Sequence, residues 1–99
     1  MRTMLKSSLP VERGNEVISD GTLARVLQEL LGQLKPEAAY FYTENGKRSF
    51  IVVFDLSDPS QIPAIAEPLF LQFNAAVDFI PVMNQDDLMR GVKEAGLLG

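Results

Sequence analysis

The fold of this chain is decided by residues 40–56, which read YFYTENGKRSFIVVFDL. Asn45-Gly46 is the dipeptide that best tolerates positive φ at both central positions of a two-residue type I′ turn. The flanking residues are mostly β-branched or aromatic, which suits a pleated and partly buried surface. The stretch therefore predicts a β-hairpin in which Glu44 lies opposite Lys47.

A two-residue turn sets the register and sorts the hairpin side chains onto two faces, because side chains alternate along each strand. One face is the predicted core face, and it carries Ala39, Phe41, Phe50, Val52 and Phe54. The other face carries Tyr40, Tyr42, Ser49, Ile51, Val53 and Asp55. This second face mixes phenols, aliphatic groups and polar groups, so it is typical of neither a core nor a solvated surface.

Length and composition predict a single domain over residues 1–99, because 46% apolar and 22% charged residues are ordinary for a globular chain. The formal net charge of −4 argues against a nucleic-acid partner, which would need a basic surface. The chain contains neither cysteine nor histidine. Disulfides, thiolate chemistry, the commonest general base and the commonest metal ligand are therefore excluded, and we expect no metal site and no cofactor.

The chain shows no pattern of a signal peptide or of a membrane span. Its first ten residues lack a long apolar run, and no later stretch approaches the length that crosses a bilayer. We therefore expect a cytosolic protein with no membrane partner.

The part of the chain before the hairpin predicts one strand and a helical region. The strand runs from Thr3 to Leu9 and ends at Pro10, which cannot donate to a sheet ladder. The helical region follows from about Val11 to Leu34. The break at residues 19–22 predicts two segments or one bent helix, with Asp20 or Thr22 as the cap of a fresh helix.

The part of the chain after the hairpin predicts a helix, an edge strand and a final helix. The first helix starts near Asp58 or Ser60, and Pro68 is expected to bend it. The strand runs over residues 75–83, and Pro81 places it at a sheet edge. Asn84 caps the final helix, and the tail is expected to fray or to dock through Leu97 and Leu98.

This order of elements predicts an α+β fold of the ferredoxin-like split βαβ type, βαββαβ with an added C-terminal helix. The sheet has four antiparallel strands, with the first and third strands in the centre and the helices on one face. The apolar run of residues 50–54 agrees with a central third strand.

The hairpin at residues 44–47 and the apolar strand at residues 51–54 resemble the ferredoxin-like dimeric α+β barrel superfamily. The resemblance covers nearly the whole chain as a pattern of elements, and many members are small uncharacterised bacterial proteins. It implies a homodimer in which two sheets pack face to face across a two-fold axis. Enzymes of the superfamily commonly use histidine or bind haem through it, and this chain has none, so the resemblance transfers no particular activity.

The mixed hairpin face predicts the dimer interface, because tyrosines bury their rings and form hydrogen bonds at their tips in such contacts. Together with the flanking strands it supplies the candidate interface residues Met4, Tyr40, Tyr42, Ile51, Val53 and Ile80.

The same face has an alternative interpretation as a cleft for a small aromatic or polar ligand, lined by Tyr40, Tyr42, Ser49 and Asp55. A cation held by Asp55 and Asp58 is the weaker interpretation, because Asp58 suits a helix cap. The predicted function is a homodimeric binding or accessory module without catalysis. The alternatives are a small-molecule-binding protein or cofactor-free enzyme, and a structural subunit of a larger assembly.

Overall fold

A computed structural model describes residues 1–97 of the chain, and these residues form four strands and four helices. In chain order the elements are β1 (Arg2–Ser8), α1 (Val11–Ser19), α2 (Thr22–Leu34), β2 (Ala38–Glu44), β3 (Lys47–Asp55), a 3₁₀ turn (Pro59–Gln61), α3 (Ile62–Phe73), β4 (Ala76–Pro81) and α4 (Gln85–Glu94). The predicted strands and helices are all present, with shifts of one or two residues at the strand ends.

The hairpin prediction is confirmed in both its turn and its register. Asn45 has φ of 53° and Gly46 has φ of 75°, so both central positions of the turn lie in the left-handed region. Glu44 pairs with Lys47, Phe41 with Phe50 and Tyr40 with Ile51.

The four strands form one antiparallel sheet in the order β2-β3-β1-β4. The first and third strands are therefore central, as predicted, and β4 with its Pro81 lies at an edge. Each helical connection crosses over one strand, since β3 lies between β1 and β2, and β1 lies between β3 and β4. The protein is thus an α+β protein whose architecture is compatible with a ferredoxin-like fold.

The predicted break in the first helical region separates α1 from α2. Gly21 adopts a left-handed φ of 83°, which a residue without Cβ tolerates. The Asp20 carboxylate accepts a hydrogen bond from the backbone N–H of Thr22 at 2.8 Å, and this bond satisfies one free donor at the start of α2.

The start of the second helical region is capped as the sequence predicts. The Asp58 carboxylate accepts a hydrogen bond from the N–H of Ser60, and the Asp58 backbone N–H donates to the Gln61 side-chain oxygen, which completes a capping box. Pro68 lies inside α3, which continues to Phe73 although Pro68 cannot donate a helical hydrogen bond.

The core lies between the sheet and the layer formed by α1, α2 and α3. Phe50, Val52 and Phe54 are at most 3% exposed, which confirms them as core residues. They join a cluster of helical and strand side chains that includes Leu5, Val26, Leu30, Ile65, Leu69 and Phe73. Leu27 and Leu31 are partly buried against the same cluster.

Two expectations about the core are wrong. Phe41 lies on the core face but is 57% exposed, because β2 is an edge strand that the helices cover incompletely. The second concerns α4, which was expected to pack with the other helices but contributes no residue to the buried core. In α4 no residue is buried, and Leu88 and Met89 are 47% and 44% exposed. Leu97 is exposed, and the predicted docking of Leu98 lies outside the described residues.

None of the helices within residues 1–97 combines the length and the apolar character that a membrane span requires.

Replacement of Phe54 by Ala should lower the free energy of unfolding by about 3–5 kcal/mol, because a large ring is deleted from a close-packed site. Urea denaturation followed by circular dichroism measures the loss. The matched control is Leu71→Ala, whose side chain is 79% exposed on α3 and should change stability by less than about 0.5 kcal/mol. Equal losses in the two variants would show that the core face is misassigned.

Replacement of Gly46 by Val should lower the free energy of unfolding by about 1 kcal/mol or more, because a β-branched residue resists a φ of 75°. Gly32→Ala is the control, since Gly32 lies in α2 with open space at its Cβ position. That change should stabilise the protein by up to about 1 kcal/mol through helix propensity. A neutral Gly46→Val variant would contradict the two-residue turn.

Candidate interaction surface

The face of the sheet opposite α1, α2 and α3 carries no packed helix among the described residues, and we call it the open face. The register assigns to it the six predicted interface residues, Met4, Tyr40, Tyr42, Ile51, Val53 and Ile80. Tyr40 is 64% exposed and Ile80 38%, whereas Met4, Ile51 and Val53 on the central strands are half-buried. The predicted residues are therefore brought together on one surface.

An unbroken apolar row crosses all four strands of the open face. Ala38 pairs with Val53, Val53 pairs with Met4, and Met4 pairs with Ile80. Directly paired residues on neighbouring strands have Cβ atoms about 5 Å apart, so these four side chains form a continuous strip.

The neighbouring row is apolar at one end and charged at the other. Tyr40 and Ile51 form the apolar end, and Lys6 and Asp78 form the charged end. Lys6 Nζ lies 3.0 Å from Glu44 Oε1. Hydrogen bonding to Glu44 raises the pKa of Lys6 above its ordinary value, so Lys6 stays cationic at neutral pH.

The third row supplies small polar groups. Ser49 lies between Tyr42 and Ser8 and is only 4% exposed. Its Oγ is 3.1 Å from the Ser8 Oγ and 3.1 Å from the Lys47 carbonyl oxygen. The Ser49 hydroxyl is therefore hydrogen-bonded within the sheet, and no base that would activate it is bonded to it.

The four candidate ligand residues do not converge on one cavity. Tyr40, Tyr42 and Ser49 are neighbours, but Asp55 lies six residues along β3 from Ser49, a distance of about 20 Å along a strand. The Asp55 carboxylate is 2.6 Å from the N-terminal ammonium group of Met1. Asp55 also borders a cavity beside Gln61, whereas Tyr42 and Ser49 border a separate groove.

Asp55 and Asp58, the two candidate cation ligands, have local structural partners. The backbone N–H of Ser60 lowers the pKa of Asp58 as its capping donor. Across residues 1–97, no group of three or more acidic side chains is arranged to hold a metal ion.

An ion-pair network at one end of the open face holds the start of α4. Arg2 donates to Glu37 before β2 and to Asp87 in the first turn of α4. Asp87 also completes a capping box with Asn84, the predicted cap, and pairs with Arg90. Sequence patterns did not indicate this network, since Arg2 and Asp87 are 85 positions apart and no local motif links them.

The rest of α4 carries an apolar stripe that is not buried. Leu88, Met89 and Val92 fall on one side of the helix at three- and four-residue spacing. None of these side chains is buried within the described chain. The long dimension of 55 Å, against 28 and 17 Å for the other two, agrees with a projecting element.

No protein-family model matches this chain, and no curated protein has a significantly similar sequence. The functional conclusions below therefore rest on the geometry of the chain itself.

Asp87 provides a test of the network that anchors α4. The Asn84 backbone N–H, followed by Arg90 and Arg2, holds the pKa of the Asp87 carboxyl below its ordinary value. A carboxyl group whose pKa is lower in the folded than in the unfolded state stabilises the folded state at pH values above the unfolded-state pKa. This stabilisation is lost as the pH falls through the folded-state pKa. We expect Arg2→Met to raise the Asp87 pKa measured by carbon NMR titration. Lys93→Met should leave it unchanged, and equal behaviour of the two variants would contradict the Arg2 contact.

Proposed function

We propose that this chain is a homodimeric binding or accessory module of the ferredoxin-like α+β barrel type, assembled through the open face. The observation that carries the proposal is the uncovered apolar strip formed by Ala38, Val53, Met4 and Ile80. A contiguous apolar surface rimmed by polar groups is typical of an interaction site, because monomeric proteins seldom leave such a patch exposed to water.

The strand order supports the fold assignment on which this proposal depends. Read from its other edge, the sheet has the order β4-β1-β3-β2. Two βαβ units that interleave produce this order, since each places one strand of the other unit between its own two strands. The arrangement also leaves one face of the sheet free of crossover helices.

The chain does not cover the open face with its own last helix. The first turn of α4 is held at the end of the sheet by the Arg2–Asp87 ion pair. Beyond that turn, Leu88 and Met89 remain about half exposed, and no residue of α4 is buried. The open face and the α4 stripe are thus two apolar surfaces that both remain exposed within the described chain.

A second copy of the chain can bury the open face without any other partner. A two-fold contact buries the same strip on both copies, so an apolar strip meets an apolar strip. The charged end of the next row is self-complementary, because Lys6 and Asp78 carry opposite charges on neighbouring strands. In this arrangement α4 extends past the edge of its own sheet and its stripe is available to the partner copy.

The alternative function, a small-molecule site near Tyr40, Tyr42 and Asp55, has less support. The Asp55 carboxylate is paired with the N-terminal ammonium group, at the end of β3 far from Tyr42. The cytosolic location and the absence of catalysis remain predictions from the sequence.

The test of the homodimer is the molar mass in solution of Ile51→Asp. The substitution places an unpaired carboxylate in the middle of the proposed contact, where desolvation opposes association. We expect the parent protein to sediment as a dimer over about a hundredfold range of concentration, and Ile51→Asp as a monomer. A higher, fixed oligomer of the parent protein would instead support a structural assembly.

Two further variants make the result specific to the open face. Tyr40→Asp acts at a site that is 64% exposed in the described chain, so it should fold and also dissociate. Leu71→Asp introduces the same charge on the exposed side of α3 and should remain dimeric. If all three variants sediment like the parent protein while circular dichroism shows native folding, the open face is not the interface.

A further inference from the structure

A groove runs between α2 and the outer edge of the β2–β3 hairpin, on the core side of the sheet. Its volume is about 330 Å³, and its walls are mainly apolar. The walls include Leu23 and Leu27 of α2 and Phe41 and Phe50 of the hairpin, with Thr43 and Arg48 at one end. Volumes of this size and walls of this character are those of small-ligand sites.

The groove exposes apolar side chains that the protein core leaves uncovered. Phe41 and Phe50 are paired across the strands with ring centroids 6.0 Å apart, yet Phe50 is 2% exposed and Phe41 is 57% exposed. Leu23 and Leu27 are only partly buried beside them. An aromatic ring left open next to a leucine pair offers a binding surface with a specific shape.

A guanidinium group is held at the end of this apolar surface. Arg48 lies opposite Thr43, so the two side chains point to the same side of the sheet. The Arg48 side chain lies against α1 at Gly14, where an added Cβ would come within 2.9 Å of its terminal nitrogen. The same nitrogen donates to the Asn15 side-chain oxygen at 3.0 Å.

The electrostatic setting of Arg48 leaves it available to an anion. Its partner Asn15 is a neutral amide, and within residues 1–97 no carboxylate lies within ion-pair distance of Arg48. A guanidinium group has five N–H donors in a planar fork that fits a carboxylate with two hydrogen bonds. Because residue 14 is glycine, there is room beside α1 for the Arg48 guanidinium group.

From these features we infer that the groove binds a small monocarboxylate with an apolar body. The carboxylate lies against Arg48, with the Thr43 hydroxyl as a second donor, and the apolar body lies along Phe41, Leu23 and Leu27. A monoanion fits better than a phosphate dianion, because a single cationic side chain lines the groove and the whole chain carries a net charge of −4. Tyr42, a predicted interface residue, borders the groove, but the proposed ligand contacts with Arg48, Phe41 and the α2 leucines lie on the core side of the sheet and need no second copy of the chain.

The experiment is isothermal titration calorimetry of the full chain with octanoate and, as the neutral probe of equal length, 1-octanol. We expect octanoate to bind with one site per chain and 1-octanol to bind at least about tenfold more weakly, because a charge-assisted contact contributes about that factor. Backbone amide signals of Phe41, Thr43 and Arg48 should shift in NMR spectra on addition of octanoate.

Three variants assign the binding to the groove. Arg48→Met keeps an apolar stem without the charge and should weaken octanoate about tenfold while leaving 1-octanol unchanged. Gly14→Ala should weaken octanoate by displacing the guanidinium group. Lys93→Met removes a positive charge on α4, far from the groove, and should bind octanoate as the parent protein does.

The outcomes separate this inference from the proposed homodimer. Octanoate binding that is lost in Arg48→Met and retained in Ile51→Asp supports the groove whether or not the protein is a dimer. Absence of octanoate binding to the parent protein, equal binding of octanoate and 1-octanol, or unchanged binding in a folded Arg48→Met variant would overturn it.

Discussion

The positive φ angles of Asn45 and Gly46 are the constraint on which the rest of the structure depends. A two-residue turn allows only one register between β2 and β3, and a slip by one residue would move every side chain of the hairpin to the opposite face. With that register, Phe50, Val52 and Phe54 all point to the helices. The core is therefore built on a strand whose orientation is decided locally, by the turn that precedes it.

The consequence of this register is a sheet with two unlike faces. Within residues 1–97 the crossover helices α1, α2 and α3 cover the face that carries the phenylalanines and leave the other face free of crossover helices. The open face therefore keeps the apolar residues that alternate with the core residues, such as Ile51 and Val53. A strand with apolar side chains on both faces can be covered on both sides of the sheet. The described chain covers only one side, with its crossover helices.

The sheet edge explains both features that the sequence pattern did not indicate. Because β2 is an edge strand, α2 covers it incompletely, and Phe41 borders a groove although it lies on the core face. At the other edge the chain leaves β4, and Asp87 meets Arg2 before α4 projects outward. Alternation predicts the face of a residue but not its distance from the edge, which depends on how far the helical layer extends.

Sequence alone determined the local and periodic features of this protein. The hairpin, the break at Gly21, the caps at Asp58 and Asn84, the central positions of β1 and β3 and the core residues Phe50, Val52 and Phe54 follow from turn chemistry, capping and side-chain periodicity, which act over a few residues. Tertiary structure alone decided the pairing of Asp55 with the Met1 ammonium group, the anchoring of α4 by Arg2 and the placement of Arg48 against Gly14. These contacts join residues distant in the chain, and their geometry depends on how helices and strands pack, which no local pattern records.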